Sequence, residues 1–296
     1  MSLQLKLFRS YYKAFSLLSP AKAGKSAFDK FQTTQHKNIR ERELPFFERA
    51  TEFRVPFEEE DLFCYRLGQA NHPPILLVHG WNSNIASMHA IAESLVQKNY
   101  QVIGLNLPAH GPSKLKKTNM EVCHRAFLSL HDFLALSEPL SIISHSFGSA
   151  VVSYALTKKN IPIDQLIYLT CPNSIEQVFI EYSQFIGLTS SAHNNMVHLA
   201  ENILNEKVSN MNVAKFIDSI NFNQLTLIHD EYDKVIPLSD ARHIYKSSKK
   251  ANLITMQNIG HYRMLWNPEV IDQVLAILST DKQGSFKKEM ELAAFN

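Results

Sequence analysis

Ser146 lies in the run Ser144, His145, Ser146, Phe147, Gly148, directly after the apolar stretch Leu140 to Ile143 and before a helical run from Ala150 to Leu156. Strand, sharp turn and helix in that order lift a hydroxyl clear of the backbone at a sheet edge. They also aim a helix N-terminus, with its free amides, at whatever the hydroxyl attacks. The chemistry this suits is nucleophilic attack. Such a turn is commonly written G-x-S-x-G, because glycines let the chain fold tightly around the serine without Cβ clashes. Here Ser144 takes the first glycine position, where a small side chain is sterically tolerable. On its own, S-x-S-x-G is equally a serine capping a helix, so a catalytic reading needs partners elsewhere in the chain.

Three further segments supply groups of the right kind. Pro74 to Val78 reads as a buried strand running into His79, Gly80, Trp81, ahead of a helix from Ile85 to about Lys98. The glycine frees the Trp81 amide to point into a cavity, where with the Phe147 amide it would make a two-donor oxyanion hole. His79 reads as a packed histidine bracing that loop and not as a catalytic group. Leu225 to His229 is a second short strand, ending in Asp230, Glu231, Tyr232, Asp233, Lys234, Val235, Ile236, Pro237, so a carboxylate sits just past a strand end. A last strand, Leu253 to Ile259, ends in Gly260, His261, Tyr262, followed by a helix from about Pro268 to Leu278. A histidine on that loop would reach both serine and acid.

With these residues in view, the chain resembles the α/β-hydrolase family, in its serine-nucleophile branch with a helical cap. The likeness runs from Ile75 to Leu278. It rests on His79 and Gly80, the elbow at Ser146, the D-x-x-I-P run from Asp233 to Pro237, and Gly260 with His261. Asn106 to Ser113 is similar to the D-x-x-G-H-G-x-S run of that family, with Asn106 and Ala109 as departures. The resemblance implies Ser146 as nucleophile, Asp233 as triad acid and His261 as general base, in the chain order serine, acid, histidine. The family's acid run usually begins with glycine where this chain has Asp230, so Asp230 and Glu231 compete with Asp233 for the acid role.

The elements that must position these groups alternate regularly. Glu52 to Phe57 and Asp61 to Leu67 predict an opening hairpin. Gln101 to Leu107, a helix across Met120 to Leu136, the elbow strand with its helix, and Asp164 to Thr170 then predict a mostly parallel α/β sheet covered by helices on both faces. Between Pro172 and Asn223 the rhythm breaks into helical patterns at about Ser174 to Phe185, His193 to Asn205 and Val213 to Ile220. The expected division is an N-terminal helical extension over 1–48, a core over 49–171 and 224–281, a helical cap insertion over 172–223 and a C-terminal tail over 282–296. In proteins that resemble this one, such an insertion covers the nucleophile. Phe179, Tyr182, Phe185, Met196, Met211 and Phe216 are then candidates to wall a substrate pocket, although the same spacing would also bury a cap on its body.

Composition narrows the function. A chain of 296 residues, 45% hydrophobic, can bury one large core. A net charge of +2 and the lack of a basic, aromatic-interleaved stripe argue against nucleic acid as partner. Cys64, Cys123 and Cys171 are odd in number and widely spaced, which fits neither a disulfide framework nor a zinc site. No apolar run has the length of about 18 to 20 residues that a bilayer span needs. The expectation is a soluble, cytoplasmic protein.

The first thirty residues are unusual, with Lys6, Arg9, Lys13, Lys22, Lys25 and Lys30 against Asp29 alone, and nine large apolar side chains between Leu3 and Leu18. Three readings compete: an extra helix packed on the domain; a basic helix resting on an anionic membrane surface, which would make the protein peripheral to a membrane; and a short secretory signal with Ala14 to Ala21 as its core.

The resemblance implies hydrolysis of a small-molecule carboxylic ester, or a thioester, through an acyl-enzyme, with no metal or organic cofactor. Two alternatives stand beside it. An acyltransferase would use the same triad, and a binding protein would keep the fold without catalysis.

Overall fold

The computed structural model describes residues 3–35, 39–136 and 139–279. The expected C-terminal tail over 282–296 lies outside the described residues.

Eight strands form one sheet: β1 (Thr51–Val55), β2 (Leu62–Leu67), β3 (Pro74–Val78), β4 (Gln101–Leu105), β5 (Leu140–His145), β6 (Ile163–Leu169), β7 (Phe222–Asp230) and β8 (Ala251–Met256). Their spatial order is β1-β2-β4-β3-β5-β6-β7-β8. β1 and β2 form an antiparallel hairpin, β2 runs antiparallel to β4, and every later neighbour pair is parallel. A parallel pair needs a crossover, and a right-handed crossover lays its helix on a face of the sheet. Here α4 (His89–Gln97), α5 (Met120–Leu134), α6 (Phe147–Lys158), α10 (Leu238–Lys246) and α11 (residues 268–279) flank the strands.

Central strands covered on both faces read as unbroken apolar runs, and β3 shows how one run serves two cores. Successive side chains point to opposite faces. Ile75 and Leu77 pack with Ile91 and Leu95 of α4 and with Val270, Val274 and Leu278 of α11. Leu76 and Val78 pack with Phe127 and Leu130 of α5 and Val151 of α6. A one-residue register slip would exchange the two sets, so the register is strongly specified.

The segment between β6 and β7 is helical: α7 (Ile175–Ile186), α8 (Ser190–Leu204) and α9 (Val213–Ser219). Asn212, Thr189 and Ser174 each cap their helix with a side-chain oxygen that accepts an amide from the first turn. The N-terminal segment is not one helix but two, α1 (Leu3–Leu18) and α2 (Pro20–Phe31), divided at Ser19, because Pro20 starts a helix readily but cannot continue one. α2 lies directly on α8. A Cβ at Gly24 would sit 2.6 Å from the Ala192 carbonyl oxygen, so the close approach of the two backbones requires glycine there. A short helix, α3 (Leu44–Arg49), precedes the hairpin and buries Phe46.

All the chemistry-bearing segments leave the sheet at one edge. In the parallel part, β3, β5, β7 and β8 point the same way, so His79 to Trp81, Ser146, Asp233 and His261 follow strand C-terminal ends on that edge.

Candidate active site

The elbow is strained. Ser146 has φ 53° and ψ −123°, a conformation sparsely populated by residues with a Cβ. Its surroundings hold it there. The Ser146 amide donates to the Leu169 carbonyl at the end of β6 (3.0 Å), and its own carbonyl accepts the Ser149 amide in the first turn of α6 (3.0 Å). A Cβ at Gly148 would lie 2.4 Å from the His79 carbonyl oxygen, so α6 can start this close to β3 only with glycine. Ser144, in the other glycine position, is fully buried and donates to Ser149 Oγ at 2.9 Å. The departure from the usual turn is thus accommodated by a satisfied hydroxyl.

Three loops converge on this serine. His261 Nε2 lies 3.1 Å from Ser146 Oγ, and His261 Nδ1 lies 2.8 Å from Asp233 Oδ2. Ser146 is half-buried, while the side chains of His261 and Asp233 are 4% and 0% exposed, so the hydrogen-bonded line runs inward from the serine. Asp233 Oδ1 accepts the amides of Val235 (2.7 Å) and Ile236 (3.0 Å). Burial pushes the Asp233 carboxyl upward. The hydrogen bond and charge of His261, together with those two amides, outweigh it, so the group is held below the usual carboxylate range.

The other two acids have different work. Asp230 is fully buried and accepts the amides of Tyr232 (2.8 Å) and Ile259 (2.6 Å). Glu231 accepts from Gln257 Nε2 at 2.8 Å. Of the three competing carboxylates, only Asp233 is in hydrogen-bond contact with His261.

The loop from His79 to Trp81, expected to supply an oxyanion donor, sits against the elbow. A Cβ on Gly80 would lie 3.2 Å from Ser146 Cβ, and the Trp81 ring meets the Phe147 ring edge to face at 5.2 Å. Neither the Trp81 nor the Phe147 amide has an acceptor among the described residues. His79 is fully buried; Nδ1 donates to the Gly80 carbonyl (2.8 Å) and Nε2 accepts the Leu107 amide (3.0 Å). Burial, reinforced by the neighbouring His110, drives its pKa well down, so it stays neutral and keeps this donor and acceptor pattern. Among the described residues, no group of three or more His, Cys, Asp and Glu side chains converges as metal ligands would.

A family model described as the alpha/beta hydrolase fold matches residues 73–185, from β3 through the elbow to α7. None of the curated proteins matches the sequence. Among solved structures, Est1E from Butyrivibrio proteoclasticus is 17% identical, with a TM-score of 0.62 over 77% of this chain and 98% of its own. The esterase PF2001 of Pyrococcus furiosus is 17% identical, with a TM-score of 0.60 over 84% of this chain and 97% of its own. The thioesterase domain from the curacin biosynthetic pathway is 15% identical, with a TM-score of 0.55 over 78% and 99%.

The chain has the α/β-hydrolase fold. Within it, two features at the site carried no sequence signal strong enough to single them out. His145, next to the elbow serine, is buried with its ring 4.8 Å from that of His261, and its Nε2 donates to the His261 carbonyl at 3.2 Å. His229, at the end of β7, binds the Ile236 carbonyl through Nε2 (3.0 Å) and so holds the Asp233 loop. Both put a polar, buried side chain within the last two residues of an apolar strand, and that is the signal by which they could have been found.

The candidate pocket residues of the insertion are largely committed to packing within the α/β-hydrolase fold. Phe179 makes tilted ring contacts with Phe28 and Phe31 of α2, and the Tyr182 ring also meets Phe31 while its hydroxyl donates to the Ala27 carbonyl. Met196 is fully buried in the same layer, Met211 lies in the same core, and Phe216 packs on Tyr154 of α6. Phe185 is exposed beside α1. The N-terminal helices supply the partner surface that a reading of the insertion alone could not foresee. All three cysteines are free and buried, and burial pushes Cys64 and Cys123 up to about 12. No described helix is long and apolar enough to cross a membrane.

Proposed function

We propose that the protein is a serine hydrolase that cleaves a carboxylic ester, or a thioester, through an acyl-enzyme. The observation that carries the reading is the continuous hydrogen-bonded line from Ser146 Oγ through His261 to Asp233, set on a strained elbow. The ester carbonyl carbon is attacked by Ser146 Oγ as the hydroxyl proton passes to His261 Nε2. Asp233, kept ionised, fixes His261 in the tautomer with hydrogen on Nδ1 and stabilises the imidazolium that forms. The oxyanion is received by the Trp81 and Phe147 amides, backbone donors that need little reorganisation. His261 then gives its proton to the leaving alkoxide or thiolate, and a water molecule repeats the sequence to release the acid and regenerate Ser146.

The fold alone does not supply this activity, since one fold hosts many chemistries. The test is direct. The protein is expected to be labelled by a fluorophosphonate and to hydrolyse p-nitrophenyl esters, and Ser146→Ala is expected to lose both while keeping its melting temperature. Well-folded protein that takes no label would overturn the proposal in favour of a binding protein.

A further inference from the structure

α1 carries large apolar side chains on both of its faces. One face is spent on α2: Tyr12 is fully buried with its hydroxyl 3.0 Å from Ser26 Oγ, and Phe8 lies against its ring at 4.9 Å. The other face has no partner among the described residues. Leu3, Leu7, Tyr11 and Leu18 are 72%, 63%, 59% and 87% exposed, and their spacing of four, four and seven residues places them on one line along the helix. A helix packed on a soluble domain turns its polar side outward. Here the outward side is apolar, and Phe185 of α7, tied to α1 by the Arg9 guanidinium at 3.1 Å, stands exposed next to it. Scattered apolar side chains on a surface are ordinary, but a contiguous stripe marks an interaction surface.

The hairpin that carries the stripe is strongly basic. On α1 and α2, Lys6, Arg9, Lys13, Lys22, Lys25 and Lys30 face the single acid Asp29. Asp29 is already claimed by Lys25 (2.8 Å) and by Lys117 (2.7 Å). Lys22, Lys25, Lys30 and Lys117 surround a cleft of about 390 Å³ in which Asp29 is the one carboxylate. An apolar stripe bordered by lysines, with a cationic cleft on the adjoining helix, complements an interface of acyl chains and anionic headgroups. A second copy of so basic a hairpin would be repelled.

We propose that the outer face of α1 docks on an anionic bilayer surface, with Leu3, Leu7, Tyr11 and Leu18 at the headgroup–acyl boundary and the lysine cleft of α2 receiving a lipid phosphate. The docking face is mechanically joined to the site. Just past α2, the Gln35 amide donates to Asn82 Oδ1 (2.8 Å) and the Thr34 hydroxyl to the Ala109 carbonyl (2.6 Å). Asn82 follows Trp81 directly, so the membrane-facing hairpin ends on the oxyanion loop.

The test is sedimentation of the full chain with vesicles of equal parts phosphatidylserine and phosphatidylcholine, against vesicles of phosphatidylcholine alone. The protein is expected to bind the mixed vesicles, to release them in high salt, and to leave the neutral ones. Leu7→Gln with Leu18→Gln alters only exposed positions and is expected to weaken binding at least about tenfold at unchanged melting temperature. Lys22→Gln with Lys30→Gln is expected to weaken it about tenfold or more and to flatten the salt dependence. Ser146→Ala is expected to bind like the parent, which separates docking from the catalytic proposal. Failure to bind mixed vesicles, or parental binding by both double variants, would overturn the inference. So would a dimer in light scattering that Leu7→Gln with Leu18→Gln dissolves, since the stripe would then be covered by a second copy.

Discussion

Asp230 Oδ2 accepts the Ile259 amide at 2.6 Å while its Oδ1 accepts the Tyr232 amide at 2.8 Å, so one buried carboxylate clamps the loop bearing Asp233 to the loop bearing His261. Neither contact touches the reacting atoms. Their effect is to hold the acid and the base in register, and a small displacement of such groups costs orders of magnitude in rate.

Asp230→Ala leaves the buried Ile259 amide without an acceptor, at about 1–3 kcal/mol, releases the part-buried Tyr232 amide, and frees the two loops from each other. Ester hydrolysis is expected to fall by about a hundredfold, mainly in kcat, with a lower melting temperature. Asp230→Asn keeps a carbonyl acceptor and is expected to recover part of both. A parental kcat in Asp230→Ala would show that the loops are held by something else.

Asp233→Asn probes the electronic role rather than the clamp. The amide keeps the shape of the carboxylate but removes the charge that stabilises the imidazolium, and it can present its NH2 to Nδ1, stabilising the wrong tautomer. The expected loss is about three to four orders of magnitude in kcat, with KM nearly unchanged. Because Asp233 is held below the usual carboxylate range, the parent loses this carboxylate only at strongly acid pH. A modest loss in Asp233→Asn would point to another carboxylate partner for His261.

Ser146 sits at φ 53° and ψ −123° with a Cβ, and glycine tolerates that region without the steric penalty. Ser146→Gly and Ser146→Ala both remove the hydroxyl, so both are expected to be inactive. Relief of strain should nevertheless make the glycine variant more stable than the alanine one by about 1 kcal/mol, after allowing for the greater freedom of glycine in the unfolded chain. Urea denaturation of the two variants measures the difference. Equal stabilities would mean that the elbow stores no strain.

The sheet and the order of its loops were readable because buried strands leave unbroken apolar runs and the groups at their ends follow within a few residues. Pro74–Val78 is the clearest case. The last strand was harder. It was expected over Leu253 to Ile259 and spans Ala251–Met256, because the chain leaves the sheet early through left-handed turns at Asn258 (φ 60°) and Gly260 (φ 74°). α10 was not foreseen at all, since only Ala241 and Ile244 of its nine residues are buried and the segment is short and mostly polar. α3 falls largely within the helical extension expected over 1–48 but is too short to stand out as an element of its own. At the site, Asp233, Asp230 and Glu231 were indistinguishable by type. What separates them is which one meets an imidazole from a strand end 28 residues later, a three-dimensional fact. Long-range packing also determined the fate of Phe179 and Tyr182, whose ring partners lie on α2, about 150 residues earlier in the chain.

The cluster of buried histidines around the triad makes the fold sensitive to acid. Burial, aided by the nearby His261, lowers His145 to about 3, against the opposing hydrogen bond to the His261 carbonyl. His79 and His229 are lowered too, in each case chiefly by burial. In the unfolded chain these imidazoles take up protons as pH falls past about 6.5, whereas folded His145 does not until about 3. The unfolded state therefore binds more protons across that window. Stability from a neutral His145 is complete above about pH 6.5 and is lost progressively on the way down to about 3. At about pH 5 the loss from His145 alone is about 2 kcal/mol. His145→Gln cannot titrate, yet its amide can still donate to the His261 carbonyl. Urea unfolding at about pH 7 and about pH 5 should show the parent losing about 2 kcal/mol more than this variant; equal losses would mean that His145 takes up a proton in the folded protein.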